Sequence, residues 1–261
     1  MADKRMIGAF LLLLCAADAG AAARKSHGGR RQRRVYSNEI FTIEPGTLEL
    51  EFGTNSGSDG FTMPITFKYE PDFASPLLRQ IELSLSSDTF TLLNGPDQLT
   101  TQFAGQQTAA VLRPVFQREG FAIALQPQSV FSIRGEESPR LGSAALVGWA
   151  RSAHSLVGTV TWTAATHSSA TNPAQQYDYD LTYVYTIGKS RYSIMTDMQW
   201  SMANGQTSQG FLTLGMVWRI RNRFSLDAGL REQGIGTSQQ HTHALAGFTW
   251  NLGRFGRRAK P

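Results

Sequence analysis

Between Gln176 and Ala203 apolar and polar residues alternate with a period of two. Tyr177, Tyr179, Leu181, Tyr183, Tyr185 and Ile187 take every second position, with Asp178, Asp180, Thr182, Val184 and Thr186 between them. After Gly188-Lys189-Ser190-Arg191 the alternation resumes. Tyr192, Ile194, Met198, Trp200 and Met202 share one face, and Ser193, Asp197, Gln199 and Ser201 share the other. Strand side chains alternate between faces, so the pattern predicts a hairpin with one apolar wall and one polar wall. Strands of soluble sheets usually run to ~5–6 residues. These run to about ten, with aromatics toward their ends, which is the length a tilted strand needs to cross a bilayer.

The same unit recurs, and the pattern predicts twelve strands. The first, Thr47 to Gly53, sets Leu48, Leu50 and Phe52 against Glu49 and Glu51. The second, Phe61 to Tyr69, sets Phe61, Met63, Ile65, Phe67 and Tyr69 against Thr62, Pro64, Thr66 and Lys68. The third, Gln80 to Ser86, sets Ile81, Leu83 and Leu85 against Glu82 and Ser84, and Thr89 to Leu93 either extends it or forms a strand of its own. The fourth and fifth, Thr108 to Gln117 and Phe121 to Ser132, flank the turn Arg118-Glu119-Gly120. Leu112, Pro114, Phe116, Phe121, Ile123 and Leu125 are expected outside, with Arg113, Gln126 and Gln128 inside. The sixth and seventh, Ser143 to Arg151 and Leu156 to Ala165, carry Val147, Trp149, Val160 and Trp162 on their apolar face. The opening hairpin supplies the eighth and ninth. Gly210 to Arg221, Phe224 to Glu232 and His243 to Leu252 complete the series, with Leu212, Leu214, Met216, Trp218, Leu226, Leu230, Phe248 and Trp250 outward.

The connections favour a barrel over a sandwich. Those at Arg118–Gly120, Ser152–Ser155, Gly188–Arg191 and Asn222–Arg223 are tight. The intervening ones are expected to be longer, roughly eight to twenty residues, in the alternation typical of outer-membrane barrels with short periplasmic turns and longer outer loops. The connection at Pro71 to Leu78 is longer than its side predicts. Tyr69, Tyr177, Tyr179, Tyr192, Trp149, Trp162, Trp200, Trp218 and Trp250 mostly fall on the apolar face near strand ends, where rings with a polar handle favour headgroups. The expectation is an all-β transmembrane antiparallel barrel of about twelve strands, with both termini on the periplasmic side. Mean hydropathy is −0.25 with 41% hydrophobic residues. A barrel reaches such an average because half of each strand faces a polar interior.

The N-terminus adds a compartment. Lys4 and Arg5 precede an apolar run from Met6 to Ala17, and Ala21-Ala22-Ala23 fits a small-x-small cleavage site, so residues 1–23 read as a secretory signal peptide. Ala19 offers a competing site. Cys15, the only cysteine, leaves with that peptide, which excludes disulfides and thiolate metal sites from the mature chain. No other segment is apolar for long enough to form a membrane helix. The sequence pI near 9.6 suggests nucleic acid until the charges are placed. Arg24, Lys25, Arg30, Arg31, Arg33 and Arg34 lie in a basic segment over 24–44, and Arg254, Arg257, Arg258 and Lys260 end the chain. From Val35 to Gly253, thirteen Lys and Arg face eighteen Asp and Glu, so the body is acidic and no nucleic-acid partner is expected. The tails suit solvated termini or contacts with anionic headgroups.

Pro45-Gly46-Thr47-Leu48-Glu49-Leu50-Glu51-Phe52-Gly53, Phe61-Thr62-Met63-Pro64-Ile65-Thr66-Phe67-Lys68-Tyr69 and the terminal Phe248-Thr249-Trp250-Asn251-Leu252 carry a family likeness. Over Glu44 to Leu252 the chain resembles the outer-membrane proteins grouped under the meta-pathway of phenol degradation, often described as transporters. The resemblance implies an outer-membrane channel for small solutes, aromatic or hydrophobic ones among them, and no transferable site residues. The departures are the basic segment before Val35 and the tail from 253 to 261. Many such barrels end on an aromatic read by the assembly machinery, an expected partner, whereas here Phe255 is followed by Gly256 to Pro261.

Chemistry beyond passage has thin support. His241-Thr242-His243 puts two imidazoles on one side of a strand, half of a metal site with no completing motif. His167-Ser168-Ser169, with Asp178 and Asp180 as the nearest acids, is the one cluster hinting at an outer-membrane hydrolase. Neither predicts a catalytic residue, metal or cofactor. Parity instead predicts a lumen lined by Glu49, Glu51, Lys68, Glu82, Arg113, Asp178, Asp180, Asp197, Gln199, Arg219, Asp227 and Arg231. Such a lining either filters solutes as charged rings do or packs shut as internal ion pairs. The expected activity is passive passage of small solutes. The alternative is a closed structural or interaction barrel of the envelope.

Overall fold

The computed structural model describes residues 43–58, 60–73, 80–94, 99–103, 106–132, 138–169, 173–206, 208–235, 237 and 240–254. The expected signal peptide, the segment 24–42 with its basic cluster, and the tail from 255 onward lie outside the described residues. Every regular element among them is a strand: β1 Thr47–Gly57, β2 Gly60–Tyr69, β3 Glu82–Asn94, β4 Leu99–Phe103, β5 Gln106–Arg118, β6 Phe121–Ser132, β7 Arg140–Arg151, β8 His154–Ala165, β9 Gln175–Thr186, β10 Tyr192–Ala203, β11 Gln209–Arg221, β12 Phe224–Ile235 and β13 His241–Arg254.

All pairings are antiparallel. β1 pairs with β13 and with β2, and β2 with β3, which closes the sheet on itself. β4 is not a stave of the barrel. Residues 82–87 of β3 pair with β5, while its outer part pairs with β4, so β4 rides as a short flap on β3. Twelve staves therefore close the barrel, the number the alternation predicts. Closure gives the ladder donors and acceptors partners within the wall, as a bilayer requires.

β1 and β13 are adjacent, with Thr47 opposite Arg254, so the first and last strands begin and end at one rim. That rim also carries the tight turns, each tied to the next stave. The carbonyls of Gly120, Ala153, Arg191 and Arg223 accept the backbone N–H of Ala150, Thr186, Arg219 and Asn251. Glu119 and Gly120 have φ of 48° and 86°, the left-handed pair that a two-residue hairpin needs to match strand twist.

The expected alternation of loop length is weaker than the sequence suggests. β10–β11 and β12–β13 connect through 204–208 and 236–240, segments no longer than 187–191 at the opposite rim, and β1–β2 connect through 58–59 alone. The strands run on past the apolar belt into polar sequence, where period-two hydrophobicity fades and a strand cannot be told from a loop. Of the two alternatives for Thr89 to Leu93, the structure takes the extension, and β3 runs on to Asn94.

Candidate functional site: the barrel interior

The molecule is built inside out. Its exposed large residues include Leu85, Val147, Val160, Leu181, Met198, Leu214, Met216 and Leu230, whereas Glu49, Glu51, Glu82, Asp197, Thr182 and Thr213 are buried. Leu214 is 59% exposed, and Thr213 beside it is fully buried. In water such a surface would aggregate; facing lipid it is the matched one. Rings bound the belt at both edges. Trp149, Tyr185, Tyr192, Trp218 and Trp250 lie toward the turn rim, and Tyr177, Tyr179 and Trp200 toward the other. Tyr192 stacks on its cross-strand partner Trp218 at 6.0 Å. The strand length from Tyr192 to Trp200 is roughly 27 Å at ~3.4 Å per residue, which at a tilt of about 35–45° covers most of an apolar band about 25 Å tall.

Inside, β9 and β10 form a carboxylate wall. Register puts Thr182 opposite Asp197, Asp180 opposite Gln199 and Asp178 opposite Ser201. The Thr182 hydroxyl lies 3.0 and 2.9 Å from Oδ1 of Asp180 and Asp197. The Gln199 amide donates to Asp180 Oδ2 at 3.2 Å and Asp197 Oδ2 at 2.9 Å. The Gln176 amide donates to Asp178 at 2.9 Å. Neutral groups thus hold Asp180 and Asp197 together and tie Asp178 to Gln176, with the Arg231 guanidinium in Coulombic reach of Asp180 and Asp197. Arg231 Nε donates to Thr213 Oγ1, and its guanidinium lies 6.0 Å from the centre of the Phe211 ring.

A second charged group lies nearer the chain ends. Lys68 Nζ donates to Glu51 Oε1 at 2.8 Å, with both side chains largely buried. Asp227 is half-buried on β12 within Coulombic reach of Glu51. Glu49 is buried on the same inward parity of β1, and Arg219 sits inward on β11 opposite Ser225. Ile43, 1% exposed, donates its backbone N–H to Glu82 Oε2 at 2.9 Å. The chain therefore passes the mouth of the barrel just before β1.

Of the side chains expected inside, Arg113 is not there. β3 pairs Glu82 with Leu112, and β6 pairs Leu125 with Arg113 and Ala124 with Pro114. Leu112 and Pro114 therefore point inward and Arg113 outward with Leu125. The cause is a register shift between Pro114 and Phe116 that leaves Val115 as an extra residue. A bulge moves everything beyond it to the opposite face. Phe116 is outward as expected, but parity counted back from it across Val115 inverts.

Two interior features carry no signal in the expected lining. Arg140 is 6% exposed and donates to Thr163 Oγ1 and to the Pro173 carbonyl. A strand begun at Ser143 stops short of it, although Gly142, Ala144 and Leu146 have its parity. The second is an apolar inner strip on β5 to β8, where Leu112, Ala122, Ala124, Ala144, Leu146 and Val157 form one buried cluster. The lumen is thus two-faced, carboxylates on one side and small aliphatics on the other.

The weaker motifs separate. His167 and Ser168 are exposed beyond the end of β8, while Asp178 and Asp180 lie inside on β9. His241 Nδ1 lies 3.1 Å from Ser58 Oγ, and His243 is buried opposite Arg231. Among the described residues no group of three His, Cys, Asp or Glu side chains suits a metal ion.

No protein-family model and no curated protein matches the chain. Solved structures do. A KdgM porin superposes with a TM-score of 0.57 at 10% identity, over 78% of this chain and 99% of that one. A NanC porin gives 0.59 at 9%, over 78% and 100%. A KdgM porin in complex with disordered oligogalacturonate gives 0.56 at 8%, over 78% and 99%. At such identities the likeness is one of fold, and this chain has the closed β-barrel fold of outer-membrane porins.

Proposed function

We propose that the protein is a passive channel of the bacterial outer membrane, admitting small solutes by diffusion through the barrel without a cofactor. The observation that carries this reading is the charged, hydrogen-bonded interior inside a closed wall whose outside suits only lipid. A soluble enzyme or binding module has no use for that inversion. The lining also favours some cargo over others. Its carboxylates at Glu49, Glu51, Glu82, Asp178, Asp180, Asp197 and Asp227 outnumber its cations at Lys68, Arg140, Arg219 and Arg231. An excess of fixed negative charge attracts cations and repels polyanions. Oligogalacturonate, a polyanion, accompanies one of the similar porins, but an acidic interior suits neutral and cationic solutes. The aliphatic strip on β5 to β8 gives such solutes an apolar side, which agrees with the small aromatic cargo implied by the resemblance to the meta-pathway outer-membrane proteins.

Planar bilayers test the reading. The folded chain is expected to give discrete conductance steps and, in a potassium chloride gradient, a reversal potential of the sign set by cation preference. The Ile43–Glu82 contact at the mouth favours a second reading, a closed barrel of the envelope. Silent bilayers from folded protein, with no liposome swelling for any small solute, would decide for that second reading.

A further inference from the structure

Exposed cations are not spread over this barrel. Among the described residues, Arg118, Arg151, Lys189, Arg191, Arg221 and Arg223 are exposed at the turn rim. Arg254, paired with Glu44 at 3.3 Å, joins them there. The opposite rim carries no exposed Arg or Lys among the described residues. Directly above the charged rim lies the ring belt with Trp218 and Trp250, and above that the aliphatic wall.

The rim is most developed at the β11–β12 turn. Ile220, Arg221, Asn222, Arg223, Phe224 and Trp250 line an open recess of about 690 Å³ on the outer surface. The Asn251 N–H on the Arg223 carbonyl, at 2.9 Å, holds the turn against the strand that carries Trp250. Arg191 Nη1 donates to the Ile220 carbonyl at 2.9 Å, which brings a third guanidinium to the edge. Guanidinium forks recognise phosphate oxygens with paired donors, and indoles settle at the level of headgroups.

We propose that this recess binds the headgroup of an anionic phospholipid, with its phosphodiester between Arg221 and Arg223 and its acyl chains along Phe224 and Trp250. The rim where β1 begins, β13 ends and the tight turns lie is the periplasmic one in barrels of this class, so the ligand belongs to the inner, phospholipid leaflet. The site lies on the outer wall and does not depend on whether the lumen conducts.

The test is native mass spectrometry of the full chain released from mixed micelles of phosphatidylglycerol and phosphatidylcholine. The wild type is expected to retain phosphatidylglycerol over phosphatidylcholine by roughly ten-fold or more, given the attraction of each basic residue near an anionic surface. The double variant Arg221→Gln/Arg223→Gln should bring that ratio close to one, whereas Arg118→Gln/Arg151→Gln should leave most of it. High salt should erase the wild-type preference, a readout that needs no variant to fold. Equal retention of both lipids by the wild type would overturn the proposal. So would an equal loss in both double variants, displacement by inorganic phosphate alone, or a lipid-independent dimer abolished by Arg221→Gln/Arg223→Gln.

Discussion

Asp180 and Asp197 project from neighbouring strands, flank the Thr182 hydroxyl and share the Gln199 amide as a donor. Removing both charges keeps the hydrogen-bonding shape but lowers the fixed negative potential inside the barrel. Asp180→Asn/Asp197→Asn is therefore expected to shift the reversal potential toward zero, with cation preference falling several-fold. An unchanged potential would remove these residues from the lining. Arg113 supplies the contrast. Because it faces outward with Leu125, Arg113→Leu should leave the potential where it was. A rise in cation preference would mean that Arg113 does reach the lumen. Its misplacement by parity shows what the sequence hides at this scale, since one extra residue at Val115 inverts the count and nothing about valine marks a bulge. Asp178, Asp180, Asp197 and Gln199 were legible because their hairpin has no register shift.

Strands were legible wherever they cross the belt, since there the bilayer enforces period two. Their ends were not. Arg140 lies beyond the first recognisable alternation of β7, where Gly142 and Ser143 blur the period, and β4 lies beyond that of β3. Turns follow a different rule, fixed by backbone rather than side chain. Gly120 has φ +86°, and a Cβ there would collide with the Ala150 carbonyl oxygen on β7. Gly120→Ala is expected to destabilise the β5–β6 hairpin by at least ~1–2 kcal/mol, the left-handed penalty alone. The urea midpoint of the folded form in micelles would report it. A midpoint equal to that of the parent would mean that the rim relaxes to admit the methyl group.

At the scale of the molecule, closure through β1–β13 and β2–β3 makes the barrel one cooperative unit whose twelve staves each have a partner on both sides. The unboiled chain should migrate differently from the boiled one on a denaturing gel, and identical mobility after detergent refolding would count against a closed barrel. The twelve staves and the inside-out faces could be read from alternation alone. The two-faced lumen could not, because which staves oppose one another is set by closure and tilt. The same period-two pattern has a consequence for the journey before folding. Tyr177 to Ile187 is apolar only once it is extended, when its rings line up on one side. As an unpaired chain its hydrophobicity is diluted by Asp178, Asp180 and Thr182, and nothing in it resembles a helix that would lodge in an inner membrane. The segment can thus be exported as though it were a soluble protein. Its greasy face, and with it the danger of sticking to other chains, comes into being only when hairpins form. Pairing and insertion are then best accomplished together, at the membrane of destination.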